Sequence, residues 1–465
     1  MVQCKITTTL QTGYGHNYML KRTQLHPYQR ELISKAASTP NMGLFLPPGL
    51  GKTSITLTII SEQFQGKTLI IAPKRVAETV WDAEVKKWDH LKHLKVSKIM
   101  GSPTARLLAM KSSADIYLIN LENVAWLCEL SPKLVFTNLV IDESSRFKDP
   151  STKRFKALKK HLKGFSRRII LTGTPTPQGI QDMWSQTGIL DLGQRLETSL
   201  TRFRDKYMMP DQMNRHTRVV YSWKLKLGAD LQVQQKISDI CFSLKAEDYL
   251  QLPPLTTLYH KIEVDKNVRA KYDELRKTMV VDIKKEKITA PTAAALANKL
   301  LQFTSGAVYN EEGEAQEVHR SKLEYLESIM EESSSPTLVF YHFKHSLQRL
   351  RLTFPTAVVL DDDNIAAWRR GEIRMLLAHP QSGGIGLNLQ CNVGETAQTV
   401  WYDLPWSSEN YIQANARIYR QGQEKPVIIH HLTVSNSIDE QVVKVLDGKI
   451  NLQEALLDAL NCVLV

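Results

Sequence analysis

The sequence predicts an α/β protein of two lobes, each built round a parallel sheet. Three observations carry that expectation. Short apolar runs of strand length alternate with helix-compatible stretches, the sequence form of a parallel sheet with crossover helices. The same rhythm occurs in each half of the chain. At 465 residues the chain also exceeds what one hydrophobic core ordinarily serves, so two large units fit it.

In the first half the strand-like runs are 42–46, 68–72, 116–120, 139–142 and 169–172. In the second they are 337–341, 357–360, 375–378, 399–402 and 427–432. Between them, from Thr176 to about Arg320, the chain is more polar and partly helical, with a break at Leu252-Pro253-Pro254-Leu255. The expected organisation is an N-terminal lobe over 1–240, a linker with helical insertion over 241–320, and a C-terminal lobe with a helical tail over 321–465.

A hydrophobic content of 42% with 23% charged residues is that of a folded globular protein. No apolar run reaches the roughly 18–20 residues that cross a bilayer, and the N-terminus lacks a secretory apolar region, so a cytoplasmic location is expected. Cys4, Cys128, Cys241, Cys391 and Cys462 are scattered without a C-x-x-C pair, which offers neither a zinc site nor a disulfide framework. The formal charge of +12 favours a polyanionic partner, although charge alone marks a solvated surface as readily.

The chemistry begins at Leu46-Pro47-Pro48-Gly49-Leu50-Gly51-Lys52-Thr53, after the first strand-like run and before the apolar helical pattern Ile55, Leu57, Ile59 and Ile60. Glycines at such a junction let backbone N–H groups curl round a phosphate at a helix N-terminus. Lys52 would add a mobile charge and the Thr53 hydroxyl a magnesium ligand, while Pro48, Gly49, Leu50 and Gly51 complete a loop expected to hold ATP. Leu46 stands where the general phosphate-loop pattern has its first glycine. The P-P-G-x-G-K-T form is instead similar to that of helicase-type ATPases, and implies two RecA-like lobes of the P-loop NTPase class.

Downstream, the apolar run Leu139-Val140-Ile141 ends in Asp142-Glu143. Adjacent carboxylates at a strand end suit a metal and a water: Asp142 would hold magnesium, and Glu143 would orient and deprotonate the attacking water. The second half offers Gln413-Ala414-Asn415-Ala416-Arg417-Ile418-Tyr419-Arg420-Gln421-Gly422-Gln423. On a helix, Arg417 and Arg420 would share a face and could serve as arginine fingers once the second lobe closes on the first.

With these motifs in order, the chain resembles the Swi/Snf-like family over nearly its whole length, in the compact form of bacterial and bacteriophage enzymes. The Arg417–Gln423 string is the most specific part of the match. The resemblance implies that Gln29, in Leu25-His26-Pro27-Tyr28-Gln29, contacts the adenine edge, and that Leu171-Thr172-Gly173-Thr174-Pro175 links hydrolysis to lobe movement. It implies that Ser382-Gly383-Gly384-Ile385-Gly386-Leu387-Asn388-Leu389 touches the DNA backbone and closes the nucleotide site, with Gly386 near the nucleotide. Ser321-Lys322-Leu323 and Ser437-Ile438-Asp439-Glu440 match as well. Two departures stand out: Ser144-Ser145 replaces the commoner Ala-His or Ala-Gln, and Ala416 replaces an aspartate.

DNA contact is expected to be backbone grip by both lobes, because a motor must accept many sequences. Gly383, Gly384 and Asn388, the Lys74-Arg75 loop, and residues 120–123 are the expected positions. The basic stretch 153–168 reads as an amphipathic helix on Phe155, Leu158 and Leu162, and Trp401 and Trp406 read as core residues. The expected function is an ATPase that translocates on duplex DNA. An RNA or single-strand helicase and a nucleotide-gated clamp with little turnover are the alternatives.

Overall fold

In the computed structural model the described residues are 19–448, apart from 131–132, 178, 214–217, 219, 245–247, 250–251, 286–289 and 384–386. Among them the apolar runs of the first half form one parallel sheet. Its strands are β1 (Asn41–Phe45), β2 (Thr68–Ala72), β3 (Val96–Ile99), β4 (Ile116–Asn120), β5 (Asn138–Asp142), β6 (Arg167–Thr172) and β9 (Cys241–Ser243), in the order β3-β4-β2-β5-β6-β1-β9. An antiparallel hairpin of β7 (Met208–Met213) and β8 (Val220–Leu225) stands apart from it.

Alternating side chains on the central strands serve two cores. On β2, Leu69 and Ile71 enter one cluster while Ile70 and Ala72 enter the other. A strand buried on both faces must be apolar throughout, which is why these runs were visible in the sequence. The order places β6 between β1 and β5, pairing Phe45 with Thr172 and Asp142 with Leu171. The carboxyl ends of all three strands therefore lie side by side, where ligands bind in open α/β sheets.

The second lobe repeats the plan with β10 (Leu255–Ile262), β13 (Thr337–Phe340), β14 (Val358–Val359), β15 (Met375–Ala378), β16 (Ala397–Trp401) and β17 (Val427–Val434), all parallel in the order β10-β17-β16-β13-β15-β14. A small hairpin of β11 (Ala307–Tyr309) and β12 (Ala315–Glu317) precedes it. Trp401 is fully buried and stacks on Phe340 at 4.4 Å, and Trp406 packs half-buried against the same core.

The segment expected between the lobes is shared out between them. Cys241–Ser243 pairs with β1 and completes the first sheet. Leu255–Ile262 pairs with β17 along its whole length and forms the edge of the second. Tyr272, Leu296, Leu300 and Phe303, from the helices Lys266–Lys285 and Ala290–Thr304, belong to the second lobe's core. An edge strand has one solvated side, and β10 is mostly exposed, so its sequence lacks the continuous apolar run of a central strand.

Ser321-Lys322-Leu323 and Ser437–Glu440 also find their reason here. Lys322 and Asp439 form an ion pair at 2.8 Å with both side chains essentially inaccessible. Asp439 further accepts from the Thr304 hydroxyl at 2.8 Å and the Val434 amide at 2.9 Å, so the preceding helices and the tail are tied by one satisfied buried charge. The basic stretch after Thr152 is shorter than the expected 153–168 helix. The helix is Lys153–Lys159, with Phe155 and Leu158 buried, a single 3-10 turn at Leu162–Gly164 follows, and β6 begins at Arg167.

Candidate functional site

The phosphate loop leaves β1 and turns through two glycines with positive φ, Gly49 at 93° and Gly51 at 72°. At that φ a side chain at Gly51 would be strained and would also meet the Gln29 amide, so glycine suits this turn. The helix Lys52–Gln63 starts immediately after. It is buried along most of its length because its hydroxyls are satisfied internally: Thr56 donates to the Lys52 carbonyl and Thr58 to the Ser54 carbonyl, each at 2.8 Å. Thr53 is half-buried in its first turn, and the Leu50 side chain lies wholly in the core, leaving only its backbone to the site. Pro48 is half-buried and faces Gly173 of the neighbouring Leu171–Pro175 turn, where an added Cβ would meet its Cδ at 3.0 Å.

The Lys52 ammonium donates to the Leu46 carbonyl at 2.7 Å, arching over the loop that a phosphate would fill. Burial lowers its pKa, with Glu143 and Asp142 opposing the shift. Asp142 is buried at the end of β5 and accepts from the Trp81 indole at 3.0 Å. Burial raises its pKa against the pull of Lys52 and Trp81. Glu143 follows in the left-handed region at φ 58° and ψ 59°, an uncommon conformation for a residue with a side chain. Its Oε2 accepts from the Thr172 hydroxyl at 3.4 Å. Burial pushes its pKa up to about 7, Asp142 and Glu409 add to the rise, and Lys52 and Arg417 oppose it. A carboxyl so poised suits a general base.

The second lobe reaches this site through the helix Ser408–Asn415 and the turns after it. Gln413 donates to Glu143 Oε2 at 3.4 Å across the cleft. Arg417 is buried, donates to the Leu387 carbonyl at 3.4 Å, and is pushed down to about 10 by burial and by Arg420, with Glu143 and Asp142 opposing. Arg420 is half-buried, and Glu84 of the first lobe is its chief stabilising charge. The helix ends at Asn415, so the two arginines do not share a helical face as expected. They project from consecutive turns, and the nearness of Arg417 to Lys52, Asp142 and Glu143, and of Arg420 to Lys52, is a product of lobe packing.

Gln29 is buried against the phosphate loop. Its carbonyl accepts from the His26 amide at 2.9 Å and its nitrogen donates to the Leu50 carbonyl at 3.4 Å, so its amide braces the loop. Gly384 and Gly386 lie outside the described residues, and Gly383 ends the short helix Pro380–Gly383. Asn388 is half-buried and accepts from the Gln390 amide at 3.2 Å. Lys74 is exposed, whereas Arg75 is ion-paired with Asp362 of the second lobe. Asn120 and Asn123 hydrogen-bond one another at 2.5 Å, and Arg106 donates to Asn123 at 2.8 Å.

The donor set fits a nucleotide with magnesium. Thr53 and Asp142 offer hard oxygen ligands beside a helix N-terminus, and no cluster of three or more His, Cys, Asp or Glu able to hold a metal occurs among the described residues. Two hard oxygen ligands from the chain would leave the rest of such an ion's shell to substrate phosphates and water. Sequence reasoning missed Trp81, which lies in no motif, Glu409, and the cross-cleft role of Gln413. No helix among the described residues is long and apolar enough to cross a membrane.

Comparison with known proteins gives a consistent result. Residues 17–307 match the SNF2-related domain. Protein p41 of Acyrthosiphon pisum secondary endosymbiont phage 1 is 34% identical over 94% of this chain and 98% of its own length. The SWI/SNF-related matrix-associated actin-dependent regulator of chromatin subfamily A-like protein 1 of Xenopus tropicalis is 26% identical over 92% of this chain and 44% of its own length. Chromodomain-helicase-DNA-binding protein 6 of Homo sapiens is 22% identical, and the matched region is 18% of it. The chain thus spans less than half of these two longer relatives. Among solved structures, the Sulfolobus solfataricus SWI2/SNF2 ATPase core in complex with dsDNA matches 94% of this chain and 93% of its own, at 21% identity and a TM-score of 0.44.

Proposed function

The chain belongs to the SNF2-related family, and we propose that it is an ATP-driven motor that tracks along duplex DNA by opening and closing its two lobes. The observation that carries this reading is the split ownership of the base. Glu143 takes one hydrogen bond from Thr172 of its own lobe and one from Gln413 of the other, each at 3.4 Å. Hydrolysis that needs both lobes is hydrolysis that can be exchanged for their relative movement.

In this mechanism the phosphate loop and Lys52 hold the triphosphate, and Glu143 accepts the proton of the attacking water. Arg417 then meets the charge that develops on the transferred phosphoryl group, in a site where burial makes such compensation strong. Thr53 and Asp142 would hold magnesium, which would neutralise phosphate charge when bound. DNA contact is assigned to the exposed Lys74 on one lobe and to Gly383, Gly384 and Asn388 on the other, as sequence-independent backbone grip. The +12 charge supports a polyanionic track, as do the words helicase and DNA-binding in a relative's name. The phage relative supports a setting in the cytoplasm of a bacterial or phage-infected cell.

Steady-state ATP hydrolysis with duplex DNA, single-stranded DNA and RNA tests the reading. Duplex DNA should stimulate most, and the protein should displace a triplex-forming third strand while separating a forked duplex poorly. Stronger stimulation by single strands or RNA, or efficient fork unwinding without third-strand displacement, overturns the duplex translocase. Nucleic-acid binding without turnover would identify a clamp.

A further inference from the structure

We infer that Glu409 is a positioning residue for hydrolysis, a buried acid on the second lobe that Ser145 of the first lobe captures on closure so that Gln413 is held against Glu143. The inference rests on the ATPase reading above, and concerns a residue that no motif contains.

Ser145 and Glu409 are 264 positions apart, yet the Ser145 hydroxyl donates to Glu409 Oε1 at 2.8 Å with both side chains buried. One turn along the same helix, Gln413 Nε2 donates to the same Oε1 at 3.4 Å and to Glu143 Oε2 at 3.4 Å. The Arg146 guanidinium stands 3.9 Å from Glu409. An unbroken path of polar contacts therefore runs from Ser145 through Glu409 and Gln413 to Glu143 and Thr172. Ser145, Glu143 and Thr172 belong to the first lobe and Glu409 and Gln413 to the second, so the path exists only when the lobes are together.

The two serines that replace the commoner Ala-His or Ala-Gln have separate tasks. Ser144 donates to Gln186 at 2.7 Å, and Gln186 donates to the Pro175 carbonyl at 2.6 Å, which ties the acidic pair to the Thr172 turn within the first lobe. Ser145 points the other way, across the cleft. A buried carboxylate oxygen needs hydrogen-bond donors, and Ser145 supplies the shortest one here. When the lobes part, Glu409 loses that donor and Gln413 loses its hold on Glu143. Small misplacements of a base are costly to turnover, so this contact makes hydrolysis conditional on closure.

The test is a double-mutant cycle in the full chain, reading kcat and KM for ATP at saturating duplex DNA. Ser145→Ala and Glu409→Ala should each lower kcat about tenfold, equivalent to about 1.4 kcal/mol, with KM little changed. The double variant should be no worse than either single one, because each breaks the same path. Glu409→Gln, which keeps an acceptor oxygen for Ser145, should stay within a few-fold of the parent, and it decides the matter with Ser145→Ala if Glu409→Ala does not fold. Losses that multiply in the double variant, unchanged kcat in Ser145→Ala, or a raised KM with intact kcat overturns the role of Glu409 while leaving the ATPase reading in place. A parent protein that does not hydrolyse ATP overturns both.

Discussion

In the first lobe the carboxyl ends of β1, β5 and β6 carry Lys52, Asp142, Glu143 and Thr172, whereas in the second lobe those of β13, β15 and β16 lead into His342, His379 and Asp403. Asp142 ends one buried strand and Asp403 closely follows another. Asp142 accepts from the Trp81 indole at 3.0 Å and stands beside the phosphate loop. Asp403 Oδ2 is taken by the backbone amides of His342 at 2.8 Å and Phe343 at 3.3 Å, and so braces a turn. Two sheets of one plan thus place acids alike, and their surroundings set them apart: Asp142 stands beside Lys52 and Glu143, whereas Asp403 serves a turn of its own lobe.

The interiors differ in the same sense. Burial holds His319, His430 and His431 of the second lobe down to about 4, and lowers His345 as well. His319 and His431 keep hydrogen-bond partners at 2.9 Å, the Phe303 carbonyl and the Tyr411 hydroxyl. With Lys322 and Asp439, these make the second lobe a polar-cored partner whose fold depends on fixed internal pairings. In the first lobe the carboxylates raised by burial, Asp142 and Glu143, stand at the site.

The sharpest way to break this division is to remove the first lobe's chemistry. Glu143→Gln should lower single-turnover hydrolysis by roughly a hundred- to ten-thousandfold, the range of a general base, while ATP binding measured by equilibrium titration persists. Lys52→Ala should lower both. Unaltered hydrolysis in Glu143→Gln would assign the base elsewhere.

Arg417→Ala tests the second lobe's contribution to that chemistry. Loss of a true finger lowers kcat by roughly a thousandfold or more, with DNA affinity much less affected. Arg420→Ala should cost less, because Glu84 rather than the acidic pair is its chief opposing charge. Equal losses would mean that a nucleotide-bound arrangement brings both arginines to the phosphate.

The polar core is tested by stability. Asp439→Ala leaves Lys322 buried without its partner and should destabilise the second lobe by about 3–5 kcal/mol in denaturant titrations. A Trp81-centred signal from the first lobe should move much less.

Acid should act in the same direction. A histidine whose pKa is about 4 when folded and about 6.5 when unfolded binds its proton more readily unfolded. Its contribution is complete above about pH 6.5 and is lost as pH falls towards 4. Hydrogen exchange should therefore show β17 and the Ala290–Thr304 helix loosening before β2 and β5 in that window. Simultaneous loosening of both sheets would contradict the contrast between the cores.

The smallest effect belongs to the surface contact between the lobes. Asp362→Asn frees Arg75 from a pair whose acid is 70% exposed, worth at most about 1 kcal/mol. Duplex affinity at low salt should rise by no more than about fivefold, and an unchanged or lower affinity would remove Arg75 from the DNA track.

The sequence by itself determined the parts whose physics is local. Central strands such as 68–72 and 116–120 are almost wholly apolar because both faces are covered, and the phosphate loop has glycine at 49 and 51 because its backbone passes there through positive φ. Asp142 and Glu143 were legible as an acidic pair ending such a strand. What the tertiary structure alone decided is three of the edges and the meeting of the lobes, the edge strand Val358–Val359 being legible within the run 357–360. Val96–Ile99, Cys241–Ser243 and Leu255–Ile262 are edge strands, whose half-solvated sides erase the apolar run that marks a central strand. Arg417 and Arg420 reach the site from turns, and Glu409 meets Ser145 across the cleft. A side chain's distance to one 264 residues away leaves no period or spacing in the chain, because it is fixed by packing between elements and not by the path that joins them.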